Sequence, residues 1–221
     1  LVTRELERGY RNLAGWEAAR VRYETPLLAE EMSFRYRRAI RRILRLCELR
    51  YDPRPLLLVR QRIEDPARRA NALEVLDTLL EPSLRAPVLR FLEDLPVPEL
   101  IRAGADLVPA TPTAEEFMRE EAAHSNPYIT LLVLDSLAAR RDPLAVLLGR
   151  DAAGRFEPLA REGAVLGLAT SAEARDRELL VALERDPDPT VARHARCHGA
   201  SSEASSLPEV TMRSTVEKVL T

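Results

Sequence analysis

The strongest concentration of a single chemistry in this chain is guanidinium: Arg35, Arg37, Arg38, Arg41, Arg42 and Arg45 crowd one segment. Arg38, Arg41, Arg42 and Arg45 recur at spacings of three and four and so share one helical face. Forked guanidinium donors grip the phosphates of lipid headgroups or nucleic acid, or an acidic protein surface. The same residues also suit a solvated face, balanced by acids such as Glu30, Glu31 and Glu48, that keeps an otherwise apolar helix in water. The sequence leaves both readings open.

Other chemistry-bearing groups are sparser. His194, Cys197 and His198 stand at i, i+3 and i+4, a spacing that lets one helix converge three side chains on a transition metal. No fourth ligand is evident, and the run His-Ala-Arg-Cys-His lacks the first cysteine of a haem-attachment motif. A last repeat also often carries polar residues where inner ones are apolar. Glu115, Glu116, Glu120 and Glu121 gather carboxylates of the kind used in acid/base work or cation binding, and equally of the kind found on an exposed acidic face. Gly149 to Gly154 lacks the Lys-Ser/Thr of a phosphate cradle and is expected to be a loop. With no nucleophile elbow, HExxH or CxxC, the sequence predicts a chain that is not an enzyme, with no catalytic residues, no metal centre and no cofactor. Its candidate interaction face is Arg38, Arg41, Arg42 and Arg45.

The elements that position these groups are announced by a repeat. Asn126-Pro127, Glu157-Pro158 and Asp188-Pro189 place prolines 31 residues apart, and Asp65-Pro66 lies 61 residues before the first of them. Pro96 and Pro98 mark a degenerate copy near the midpoint, so a period of about 31 runs through most of the chain. Proline costs nothing at the first helical position, where its missing N–H would be an orphan, and a preceding Asp or Asn caps the freed amides. Six residues after the prolines come Ala72, Val133, Ala164 and Ala195, and ten after come Leu76, Leu137, Leu168 and Gly199. A small residue and a leucine one turn later on one face predict close helix–helix packing. Helices are expected over residues 3–20, 27–51, 56–63, 67–80, 84–94, 99–108, 114–123, 127–140, 144–148, 158–169, 175–185 and 189–198. A Thr113-to-Glu116 capping box opens the seventh. No stretch alternates with period 2, so the fold expected is all-α, an α-solenoid of stacked antiparallel helix pairs.

Composition sets bounds on partners. Thirty-three basic and 35 acidic residues give a net charge of −2, which offers no global field for nucleic acid or an anionic membrane. Cys47 and Cys197 are too few for a disulfide framework and fit a reducing, cytoplasmic setting. No apolar run reaches the roughly 18 to 20 residues of a membrane helix. Leu1 opens without an initiator methionine and Thr221 falls within an apolar pattern, so the sequence is expected to be part of a longer polypeptide.

Helices paired at a 31-residue step, with an acid-Pro turn and then alanine and leucine at fixed offsets, resemble HEAT repeats over roughly residues 54–198. Asp65-Pro-Ala-Arg-Arg-Ala-Asn-Ala-Leu-Glu-Val-Leu76 is the best copy. Arg69 to Leu80, preceded by the arginine-rich helix, is similar to the HEAT segment of bacterial multidomain proteins in which that segment follows a nucleotide-transporter-like membrane domain. Ser214 to Leu220 looks like the lead-in helix of the cyclic-nucleotide-binding domain that often comes next, while the phosphate cassette of such a domain is missing here. The resemblance implies capping helices over 1–52, HEAT-like repeats over 53–200, a linker over 201–209 and the start of a following domain over 210–221. It also implies a non-catalytic, transporter-associated scaffold for protein–protein or interdomain interaction, cytoplasmic or the cytosolic part of an inner-membrane protein. The expected partners are protein or neighbouring domains of the same polypeptide, with an anionic membrane surface as the contact open to the arginine helix; no nucleic acid and no small-molecule ligand are expected. The alternative is a HEAT-like enzyme of the alkylpurine DNA glycosylase type, whose basic concave face holds DNA.

Overall fold

The computed structural model describes residues 1–204, with the side chains of 200–204 left aside. Among these residues the chain is all helical, in twelve helices: α1 (Val2–Tyr23), α2 (Pro26–Glu48), α3 (Pro53–Arg62), α4 (Pro66–Leu79), α5 (Pro82–Leu92), α6 (Val97–Ala103), α7 (Ala114–Ala122), α8 (Pro127–Ala138), α9 (Pro143–Ala153), α10 (Pro158–Leu168), α11 (Ala174–Leu183) and α12 (Pro189–Ala204). Helix α12 runs into the stretch expected to be a linker; the rest of that linker and the lead-in helix at 210–221 lie outside the described residues.

Helix starts follow the proline rule. Thr25, Asp52, Asp65, Asn126 and Asp142 each precede an N1 proline and accept a bond from a backbone amide of the first turn. Asp188 does the same for Thr190 and Val191. Glu157 does not: its longer side chain makes no capping bond and turns to Arg155 instead, 3.4 Å away. The stretch from Gly149 to Gly154, expected to be a loop, is helical up to Ala153. Gly149 is there for close approach, since a Cβ at that position would lie 3.3 Å from the Ala164 carbonyl oxygen.

The chain forms two compact units, Leu1–Glu120 and Glu121 onward. In the first, α1 packs on α2 and also on α5 and α6, while α2, α3, α4 and α5 pack successively. The first helix therefore does not touch its sequence neighbour alone. The core joins Leu6 and Tyr10 of α1 to Ile43, Leu44, Leu76 and Phe91. Phe91 is the hub: the Tyr10 and Tyr36 rings meet it edge-on at 4.9 and 5.3 Å. Gly9 makes room for it, because a Cβ there would overlap the Phe91 ring.

In the second unit α10 lies against α8 and α12, the helices two places away in sequence, and also against α9 and α11; α9 touches α11. The small and leucine positions of the repeat do the packing, with Val133, Leu137, Ala164, Leu168 and Ala195 fully buried. Ala72 and Leu76 play this part in the first unit. Between α8 and α9 the backbone turns back through Arg141 at φ 50°, with Arg141 N–H donating to Ala138 O and Asp142 N–H to Leu137 O.

Two substitutions check this packing and this turn. Ala164→Leu should overpack α10 and lower unfolding free energy by roughly 1 to 3 kcal/mol. Arg141→Gly should raise it by about 1 kcal/mol by relieving the left-handed backbone. Urea titration of both variants reads the two signs, and a neutral result at Ala164 would contradict the buried contact.

Candidate functional site

Arg38, Arg41, Arg42 and Arg45 are all exposed on α2. Two of them are engaged, and by acids that sequence spacing does not reveal. Arg41 forks onto Glu64, in the turn between α3 and α4, at 2.8 and 3.2 Å. Arg42 lies 3.2 Å from Glu5 of α1. The Arg41 guanidinium holds the Glu64 carboxyl below the usual carboxylate range. Glu48 turns to Arg60 of α3, 3.6 Å away. Arg38 and Arg45 have no ion-pair partner among the described residues.

One side of the same helix forms a wall of a cleft of about 530 Å³ in the first unit. Its apolar lining is Trp16, Met32, Tyr36, Ile40, Leu92 and Leu95. Its polar edge is Arg37, Glu64, Arg69, Glu93 and Asp94. The Tyr36 hydroxyl donates to the Phe91 carbonyl at 2.9 Å, and burial pushes its phenol up to about 12, so it stays protonated. Arg69 donates to the Ile63 carbonyl at 2.9 Å and pairs with Asp94 at 2.8 Å. Glu64 and Asp94 thus both answer an arginine, and the cleft has the make-up of a groove for an apolar segment with a charged border.

The bonding of Arg69 recurs in the second unit. Arg161, also three residues past its proline, donates to the Arg155 carbonyl at 3.0 Å and to that of Phe156, and forks onto Asp186 at 2.6 and 2.8 Å. Asp94 and Asp186 each lie 25 residues beyond their arginine. At the Pro127 turn the roles reverse: Arg155 lies 25 residues beyond Thr130 and donates to its hydroxyl at 2.8 Å, and to the Ala122 and His124 carbonyls at 3.1 Å. A second part-buried pair joins Arg150 to Asp176 at 2.7 and 2.9 Å, with Ser171 donating to the same carboxylate. Hydrogen bonds from Arg150 and Arg161 hold Asp176 and Asp186 below the usual carboxylate range.

The remaining sequence candidates are separate. His194 Nδ1 lies 2.9 Å from Glu162 Oε1, Cys197 is exposed, and no group of three or more His, Cys, Asp or Glu side chains placed to share a metal occurs among the described residues. Glu116 forms the capping box, accepting from Thr113 N–H at 2.8 Å; Glu115 pairs with Arg119 and Glu120 with Arg11. Glu121 is buried. The cleft itself escaped the sequence, because Trp16 and Tyr36 precede the repeat pattern and only the fold brings them to Asp94. No protein-family model, curated protein or solved structure matches this chain.

The arginine–aspartate pairs give a pH signature. A carboxyl whose folded-state value is depressed stabilises fully above its unfolded value, and the stabilisation is lost as pH falls through the folded value. Asp186→Asn should therefore lower the melting midpoint by several degrees at neutral pH, with the difference from wild type shrinking as pH falls below about 4, the unfolded carboxyl value. Calorimetry across that range checks it; a constant difference would detach Asp186 from the acid limb.

Proposed function

We propose that this chain is a non-catalytic helical-repeat scaffold, an α-solenoid of the HEAT type, that holds a segment of another protein or of a neighbouring domain in the cleft of its first unit. The observation that carries the binding reading is the cleft itself: an apolar floor open to solvent, bordered by charges of both signs, suits a peptide segment with apolar anchors and a polar edge. Two observations support the repeat reading. The residue three past the proline bonds to a partner 25 residues on at three turns, and α10 lies between α8 and α12 as neighbouring copies of one repeat position do. The resemblance of residues 54–198 to HEAT segments extends the proposal to a connector role beside a membrane domain; no described helix is long and apolar enough to cross a membrane.

The enzyme alternative finds one point of contact here, since Trp16 and Tyr36 share the cleft with Glu64, Glu93 and Asp94. Three carboxylates against Arg37 and Arg69 leave that cleft without the positive field a phosphodiester backbone needs, so the scaffold reading is preferred. Alkylated duplex DNA incubated with the protein should release no base.

Trp16 is the single tryptophan of the chain, so its emission reports directly on the cleft. Peptides selected from a random display library against the whole protein should shift that emission on binding. Leu95→Glu, in the half-buried cleft lining, should weaken them at least about tenfold, the scale of one lost apolar anchor, with circular dichroism showing the variant folded. Binders that leave Trp16 silent and ignore Leu95→Glu would place the interaction elsewhere.

A further inference from the structure

The outward face of α3 is built differently from that of an ordinary solvated helix. Its buried side is Leu56 and Val59, continued by Ile63. Opposite, Arg54, Leu57, Leu58, Gln61 and Arg62 are all exposed and recur at spacings of three, one, three and one, which is a single stripe. Two leucines, 43% and 48% exposed, thus stand side by side with an arginine about one turn away on either side. Neither Arg54 nor Arg62 has an ion-pair partner among the described residues. Helix α2 packs on α3 and presents Phe34, Arg38, Arg41 and Arg45 outward, at spacings of four, three and four, with exposed Leu49 at its C-cap four residues on.

Charge is concentrated here to a degree that the chain's balance conceals. From Arg35 to Arg62 there are ten arginines and two carboxylates, in a chain of net charge −2. Arg41, Arg42, Arg50 and Arg60 are answered by Glu64, Glu5, Glu81 and Glu48. Arg38, Arg45, Arg54 and Arg62 remain exposed and unpaired among the described residues, with apolar side chains interleaved.

We propose that this outer face of α2 and α3 docks on an anionic lipid bilayer. Guanidinium forks take headgroup phosphates while Leu57, Leu58 and Phe34 enter the headgroup–acyl boundary, the division of labour of an interfacial amphipathic surface. Duplex nucleic acid has no use for a leucine pair at the centre of its contact, and single strands call for stacked aromatic platforms, of which this face has only Phe34. An acidic peptide would be expected to seat in a groove, and the cleft described above is not lined by Arg54, Leu57, Leu58 or Arg62. The proposal is independent of what the cleft holds.

The test is co-sedimentation of the whole chain with vesicles of phosphatidylcholine alone and of phosphatidylcholine mixed with phosphatidylserine, at low and high salt. Binding is expected only to the mixed vesicles, falling with salt. Each arginine near such a surface contributes about a fivefold gain in partitioning. An Arg38, Arg45, Arg54 and Arg62→Gln variant should therefore lose at least about a hundredfold. Leu57→Ser with Leu58→Ser should weaken binding while keeping its salt dependence. A matched variant with Arg4, Arg8, Arg175 and Arg193→Gln, of equal charge, should bind as wild type does, and circular dichroism should show all variants folded. Equal loss in the two charge variants would reduce the effect to net charge and overturn the proposal. So would no vesicle binding at all, or retention of duplex DNA or polyglutamate in preference to vesicles.

Discussion

In both units one recurrent contact does two jobs at once. The end of a helix leaves carbonyls without intrahelical donors, and here those at Ile63 and Arg155 receive the guanidinium of the residue three places past the next proline. The same guanidinium then carries its charge to an aspartate 25 residues further on, at the end of the following helix pair. Capping of a helix end and the link to the segment 25 residues on are thus one interaction. Where the arginine is absent, at Thr130, the partner position supplies it from the other side through Arg155. The node is preserved with its polarity inverted, as expected if the constraint is satisfaction of the orphan carbonyls rather than the identity of the donor.

The cleft is bordered by that contact. Arg69 ties the end of α3 to Asp94 beyond α5, and both residues stand at the cleft edge; Tyr36, bonded to the Phe91 carbonyl, fixes its floor to the same part of α5. Phe91 in turn is held by Tyr10, and α1 can come close enough for this because Gly9 has no side chain to displace the ring. The cleft is therefore the outer side of the packing that closes the first unit. Changes to its floor will be felt as stability, and Leu95, half-buried against the same core, shares in that coupling.

Helix starts, helix order and the buried small and leucine positions could be read from the sequence because each is set by a local rule: a capping side chain, an N1 proline, a spacing of three or four. The return of α1 onto α5 and α6 could not, since periodicity constrains neighbours and α1 lies outside the period. Gly149 lies in a helix and not in the expected loop for a related reason. A glycine in sequence signals either a loop or a close approach, and only the nearby Ala164 backbone shows that it is the second. The division at Glu120 and Glu121 falls inside helix α7, where no change in composition marks it. Among the candidate arginines, the shared face on α2 was legible, but Glu5 and Glu64, which neutralise two of them, are distant in sequence.

The same limit bears on charge. A balance of 33 basic against 35 acidic residues suggests a surface without preference, yet folding does not mix those charges evenly. It spends acids from α1, from α2 itself, from the α3–α4 turn and from the turn before α5 on part of the arginine cluster, and leaves Arg38, Arg45, Arg54 and Arg62 facing solvent beside exposed leucines. At physiological salt the field of such a cluster reaches only about 8 Å, so the compensating acids elsewhere on the protein do not cancel it at contact range. Net charge governs how the molecule behaves at a distance. What it does on contact is set by which arginines the fold has already paired.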